Sequence, residues 1–163
     1  MRVIFLDFDG VVNSMRFCEE LSERTKREGG STATRHMIDP EAVARLNVLI
    51  FEFNAVVVVS SSWRKIFDIP TLQEILDAKG FVGKIIDVTP DLSGEPIYEP
   101  NQRRERGFEI ARWLKENAPD AEYVVFDDDG DMTAVQERFI QTSWGYGLLD
   151  EHIERARKLF RPA

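Results

Sequence analysis

The opening of the chain restricts the fold more than any other stretch. Residues 3–6, Val-Ile-Phe-Leu, form a continuous apolar run that reads as a buried strand. Asp7 and Asp9 follow at i and i+2, and Gly10 then lets the backbone turn away. Aspartate is depleted in strands, and a buried unpaired carboxylate is costly. Two of them at the end of an apolar strand therefore call for a compensating charge, which a cation at the strand's carboxyl edge supplies. Side chains at i and i+2 of a strand point the same way, so Asp7 and Asp9 are placed to share one metal or one substrate. The alternative is a strand that runs into an ordinary Asp-Gly turn.

Downstream, strand and helix patterns alternate, which is the α/β signature. Strands are expected over residues 3–6, 55–59, 84–88, 122–126 and 139–142. The run 55–59 is almost entirely valine, the mark of a strand buried on both faces. Asp39-Pro40-Glu41 reads as a helix start, with Asp as N-cap and Pro at the first helical position. Val43, Leu46, Leu49, Ile50 and Phe53 then follow at helical spacing. Further helices are expected over 71–79, stopped by Gly80, over 104–117 and over 149–160. In the helix over 104–117 the inward candidates are Phe108, Ile110, Ala111, Trp113 and Leu114. Residues 14–38 are polar and read as a small flap or cap-like insertion with a short helix over 17–24. Residues 89–103 hold three prolines and a glycine and read as an irregular excursion. Short helical crossovers make the sheet parallel with right-handed connections. Ligands of such sheets bind beyond the carboxyl ends of the strands.

The chain's 163 residues make one domain with a substantial core. Its net charge of −8 argues against broad non-specific nucleic-acid binding, which needs many phosphate-neutralising cations, but leaves room for a local basic path. The apolar stretches are far short of a membrane span, and the N-terminus does not read as a signal peptide. The single Cys18 excludes an internal disulfide, and a Cys/His cluster for zinc is lacking. A reducing, cytoplasmic setting is the expectation. His36 and His152 have no ligand-like spacing and read as ordinary surface or helix residues.

The strand ends repeat one theme. The second strand runs into Ser60-Ser61-Ser62-Trp63-Arg64, and the fourth into Asp127-Asp128-Asp129-Gly130-Asp131. Between them lies Arg103-Arg104-Glu105-Arg106-Gly107. Carboxylates, a hydroxyl and guanidinium groups would converge on one sheet edge, a set suited to phosphoryl transfer. Mg²⁺ takes carboxylate and phosphate oxygens, cations offset charge on the transferring group, and an Asp can be the nucleophile. A Gly-x-x-x-x-Gly-Lys-Ser/Thr loop is absent, so this is not a P-loop nucleotide hydrolase. Each group also has a plainer reading: Ser60 as a helix cap, Arg106 as a solvated helix charge, residues 127–131 as a turn, and Trp63 and Trp113 as packing residues. Trp144 and Tyr146 sit in a Gly-rich segment with no settled role.

In this order the motifs resemble those of the haloacid dehalogenase-like (HAD) phosphohydrolases. Leu-Asp-Phe-Asp-Gly-Val-Val-Asn, Ser-Ser-Ser-Trp-Arg, Arg-Gly-Phe-Glu-Ile-x-x-Trp-Leu and Val-Val-Phe-Asp-Asp-Asp look like the branch found in bacterial Swiss Army Knife RNA repair proteins. The resemblance spans nearly the whole chain and implies a three-layer α/β/α Rossmann-like fold with minimal cap insertions. It implies Asp7 as nucleophile and metal ligand. Asp9 would be the general acid/base, with its backbone carbonyl on the metal. Ser60 would bind the transferring phosphoryl group, with Gly10, Ser61 and Arg64 around the substrate. Arg106 best fits a basic position that is more often Lys in the superfamily, with Arg103 and Arg104 left as alternatives. Asp128 would complete a Mg²⁺ site with Asp127 beside it, although the family's spaced motif would select Asp127 and Asp131 instead.

The function so implied is a Mg²⁺-dependent phosphatase. The insertions are too short for a large cap, so an open site admitting a nucleic-acid end is expected. Arg64, Arg103 and Arg104 would line the backbone path, and Trp144 or Tyr146 would stack a base. A small metabolite or nucleotide as substrate, and a non-catalytic binding module on the same fold, are the alternatives.

Overall fold

The computed structural model describes residues 1–30, 37–94 and 105–160. Five strands form one all-parallel sheet: β1 (Arg2–Leu6), β2 (Val56–Val59), β3 (Ile85–Val88), β4 (Glu122–Asp127) and β5 (Phe139–Gln141). Their spatial order is β3-β2-β1-β4-β5. Every expected strand is present, with its ends moved by at most a residue or so. β1 lies at the centre with valine-rich β2 and β4 on either side. This is why residues 3–6 carry no polar side chain: both faces are covered.

Side-chain alternation along β1 divides the core in two. Ile4 and Leu6 pack with Val43, Leu46 and Leu49 of α2 (Pro40–Phe53), with Leu72 and Leu76 of α3 (Ile69–Asp77), and with Ile153 and Phe160 of α5 (Asp150–Phe160). Val3 and Phe5 face the other way, onto Ile110 and Trp113 of α4 (Arg106–Asn117). Helices on both faces, joined by parallel crossovers, make this an α/β Rossmann-like sheet. Truncating a fully buried side chain such as Phe5 or Leu46 to alanine is expected to cost about 2–5 kcal/mol.

The helix ends follow the expected chemistry, with three adjustments. Asp39 caps α2 by accepting the Glu41 N–H at 2.8 Å, with Pro40 in the first turn. The helix expected over 17–24 is longer, α1 (Met15–Glu28), because Ser14 caps it from the Phe17 N–H and Gly29 ends it in the left-handed conformation. α3 starts two residues early because Asp68 accepts the Thr71 N–H at 3.0 Å. α4 begins at Arg106, and Phe108 on its first turn stays half-buried while Gly107, Ile110 and Trp113 are buried. Short 3-10 turns at Ser62–Lys65 and Thr133–Arg138 carry no sequence signature strong enough to be anticipated. His152 is buried in α5, where its Nδ1 accepts the Leu149 N–H, and burial holds its pKa below the usual value.

The strand order fixes where a site can form. From β1 the chain moves to β2 and β3 on one side, then crosses to β4 on the other. The carboxyl ends of β1 and β4 therefore flank the point where the winding reverses, the ligand position of open α/β sheets.

Candidate active site

Strand register assembles the site. Leu6 is paired with Val59 on one side and with Phe126 on the other. The next residue on each strand path is Asp7, Ser60 and Asp127, so these three form one row across adjacent strand ends. Backbone bonds extend the ladder to hold them: Asp7 N–H donates to Phe126 O at 3.0 Å, and Ser60 N–H to Leu6 O at 2.9 Å. All three residues are buried.

Asp7, Asp127 and Asp128 bring carboxylate oxygens within 4.8 Å of one another. Arg106, on the first turn of α4, reaches into this cluster. Its Nη1 lies 2.9 Å from Asp7 Oδ2 and 2.7 Å from Asp127 Oδ2. Two further bonds orient the acids: Phe8 N–H donates to Asp7 Oδ1 at 2.8 Å, and Asp129 N–H to Asp127 Oδ1 at 2.9 Å. The Ser61 hydroxyl favours the charged form of Asp7. Three carboxylates against one guanidinium leave a net negative charge in a buried place. Burial pushes Asp127 up to about 8, the Asp7 charge adds to the rise, and Arg106 only partly opposes it. Burial raises Asp7 against the pull of Arg106, and Asp128 is raised by burial and by Asp7. Burial disfavours the charged guanidinium of Arg106, but Asp7 and Asp127 outweigh it and hold its pKa above the usual value. An all-oxygen donor set with surplus negative charge suits a hard divalent cation, so the residues fit Mg²⁺.

Two glycines make the close approaches possible. Gly10 has φ 69°, and a Cβ there would stand 2.3 Å from Asp128 Cγ. Gly107 allows α4 to start against the 131–132 backbone, where a Cβ would lie 2.9 Å from Met132 Cα. That contact is tied by Arg106 N–H to Asp131 Oδ2 at 3.0 Å and Gly107 N–H to Asp131 O at 3.1 Å. Asp131 thus caps α4, where Glu105 makes no side-chain cap of its own. The acidic run is thereby divided: Asp127 and Asp128 face Asp7, while Asp131 holds Arg106 in place.

Ser60 Oγ is buried and has no hydrogen-bond partner among the described residues. A buried hydroxyl left unpaired beside Asp7 is available to a ligand oxygen. Asp9 stands apart from the triad. Its Oδ1 accepts Asn13 Nδ2–H at 2.8 Å and its Oδ2 accepts Trp63 Nε1–H at 2.9 Å.

The structure places Arg64, expected around the substrate, in a set of internal contacts. Its side chain is buried and paired with Glu109 at 2.6 Å, and it donates to the carbonyls of Ser61, Thr89 and Pro90 at 2.6, 3.0 and 3.4 Å. These four bonds stitch the loops after β2 and β3 to α4. Arg103 and Arg104 lie outside the described residues, as does His36. Trp63 and Trp113 are buried as expected of packing residues, yet each spends its indole N–H on a carboxylate, Asp9 and Asp87 respectively. Sequence reasoning gave Asn13 no role in this region and named Asp131 only as an alternative metal ligand, not as the group that caps α4. The signals were Asn13 four residues beyond Asp9, and Asp131 at the close of an acidic run.

Among the described residues no helix is long and apolar enough to cross a membrane. No curated protein and no solved structure matches the chain at a significant level. A family model does match, described as the HAD domain in Swiss Army Knife RNA repair proteins, over residues 3–153. That span covers the five strands except Arg2, and every residue of the row, the carboxylate triad and its arginine. The chain belongs to this family of HAD domains.

Proposed function

We propose that this protein is a Mg²⁺-dependent phosphatase that works through an aspartyl-phosphate on Asp7. The observation that carries the reading is the row of Asp7, Ser60 and Asp127 at the switch point, with Arg106 bridging two of the acids and Ser60 Oγ left unpaired. An Asp7 oxygen attacks phosphorus, and the bond from phosphorus to the leaving oxygen breaks. Asp9 gives that oxygen its proton. A water then attacks phosphorus, the bond to Asp7 breaks, and Asp9 takes the water's proton. Arg106 and the Ser60 hydroxyl bind the non-bridging oxygens. Mg²⁺ held by Asp7, Asp127, Asp128 and the Asp9 carbonyl would neutralise the substrate phosphate and so let it approach a carboxylate nucleophile.

For substrate, we favour a phosphorylated nucleic-acid end. Trp144 and Tyr146 are exposed on the turn after β5. Backbone bonds hold that turn against the loop after Asp9: Met15 N–H donates to Trp144 O at 2.8 Å and Leu148 N–H to Val11 O at 2.9 Å. Exposed rings on a braced turn are suited to stacking a base. The family's description points to RNA repair proteins. A net charge of −8 favours the second reading, a small phosphorylated metabolite or nucleotide. The single Cys18 fits a cytoplasmic setting.

The deciding experiment measures phosphate release with Mg²⁺, with EDTA and in Asp7→Asn, on 3′- and 5′-phosphorylated oligonucleotides beside mononucleotides. Metal-dependent release that is lost in the variant, higher on oligonucleotides and steeply weakened by salt, is the expected result. Turnover by Asp7→Asn would overturn the mechanism, and equal rates on mononucleotides would favour the metabolite reading.

A further inference from the structure

Asp9 shares a loop with Asp7 but is held by a different set of contacts. Each of its oxygens accepts one N–H: Oδ1 from Asn13 Nδ2 and Oδ2 from Trp63 Nε1. Neither donor is free to turn. Asn13 Oδ1 accepts the Gly10 N–H at 3.0 Å, which leaves only its NH₂ group for the carboxylate. A flipped amide would set its carbonyl against Asp9 and its NH₂ against an N–H. Trp63 is buried, with its ring 4.9 Å from Phe8 and 5.7 Å from Phe67 between centroids. Phe8 lies between the two aspartates in sequence. Trp63 therefore grips the loop twice, through its ring on Phe8 and through its N–H on Asp9.

We propose that Trp63 and Asn13 are positioning residues for Asp9, fixing the carboxyl group that exchanges the proton in both halves of the cycle. The inference rests on the phosphatase reading above for Asp9's role, but the clamp itself does not. A carboxylate oxygen has two lone-pair sites. One N–H on each oxygen fixes the plane of the group and leaves a second site on each for the proton in transit. In the first half the proton passes from Asp9 to the leaving oxygen as the phosphorus–oxygen bond breaks. In the second it passes from the attacking water to Asp9 as the bond from phosphorus to Asp7 breaks. Without the two donors the side chain would regain rotation about both of its torsions, and misplacement by an ångström costs about 100-fold.

A buried indole needs some acceptor, and Trp113 finds one in Asp87 on β3, so a carboxylate partner alone does not establish a role. The test must therefore separate positioning from packing. Trp63→Phe keeps a ring between Phe8 and Phe67 and deletes only the N–H. An aryl oxide such as p-nitrophenolate departs without a proton, whereas an alkoxide does not, and water attack needs Asp9 with either. Positioning thus predicts that Trp63→Phe loses about 10–100-fold more kcat/KM on an alkyl phosphate than on p-nitrophenyl phosphate. It also predicts a burst of about one equivalent of nitrophenol as the aspartyl-phosphate accumulates. Equal losses on both substrates without a burst would overturn it. Asn13→Ala carries the same expectations should Trp63→Phe fold poorly.

The clamp is also read without turnover. In ¹⁵N-labelled protein, Asp9→Ala is expected to move the Trp63 indole N–H resonance and to leave that of Trp113 in place. An unmoved Trp63 signal would remove the clamp whatever the activity. Activity retained by Asp7→Asn would instead remove the phosphatase reading and leave the clamp standing.

Discussion

The carboxyl carbon of Asp128 occupies the space a side chain on Gly10 would need, 2.3 Å from where its Cβ would stand. Gly10 follows the first strand and Asp128 the fourth, so one missing methyl group lets two strand ends close on each other. Gly10→Ala would push Asp128 out of the triad and strain a residue at φ 69° by about 1–2 kcal/mol. Mg²⁺ affinity should fall roughly 10–100-fold with a modest loss of stability. Calorimetric titration with Mg²⁺ beside a thermal melt checks both.

Arg106 neutralises part of a buried carboxylate cluster. Arg106→Ala leaves Asp7 and Asp127 facing each other without it. In EDTA this variant should lose about 3 kcal/mol of stability, because breaking a buried pair exposes the full cost of the charge left behind. Added Mg²⁺ should restore part of that loss, and urea unfolding with and without the metal measures it. A Mg²⁺-independent loss would mean that the cation does not enter the triad.

The raised pKa of Asp127 makes metal-free stability depend on pH. Its value in the fold is about 8 and its ordinary value is 3.8. Between these limits the folded state binds more protons than the unfolded state. Stability therefore falls as pH rises from about 4 toward 8, and Asp7 and Asp128, also raised, act in the same direction. Mg²⁺ takes the place of the proton, so unfolding curves measured at pH 5 and pH 8 should differ in EDTA and converge in excess Mg²⁺. Stability that rises with pH in EDTA would contradict the burial of these acids.

Arg64 and Glu109 make a buried pair that ties the loops after β2 and β3 to α4. Glu109→Gln should cost about 3–5 kcal/mol. A double replacement, Arg64→Met with Glu109→Leu, should recover most of this. With the pair serving only as a stitch, the double variant keeps its KM for a phosphorylated substrate well below its melting temperature. A sharply raised KM would return Arg64 to the substrate path.

The chain's local chemistry determined the elements and most of their ends. The valine run of β2, the Asp-Pro start of α2 and the glycine stop after α3 act within a few residues, through burial, capping and permitted backbone angles. The candidates Asp7, Ser60 and Asp127 were legible for a related reason: polar groups that end apolar strands have few other uses. What the tertiary structure alone decided is which neighbours share those groups. Asp128 and Asp131 are equivalent in a five-residue acidic run, and only the packing of α4 against the 131–132 backbone gives one to the triad and the other to a helix cap. Arg64 and Arg106 were both expected among the guanidinium groups converging on one sheet edge, yet Glu109 claims the first and Asp7 with Asp127 the second. Trp63 reads as packing until Asp9, 54 residues away, is found on its N–H. Such assignments depend on hydrogen-bond distances of about 3 Å between segments far apart in the chain, and spacing along a sequence does not encode them.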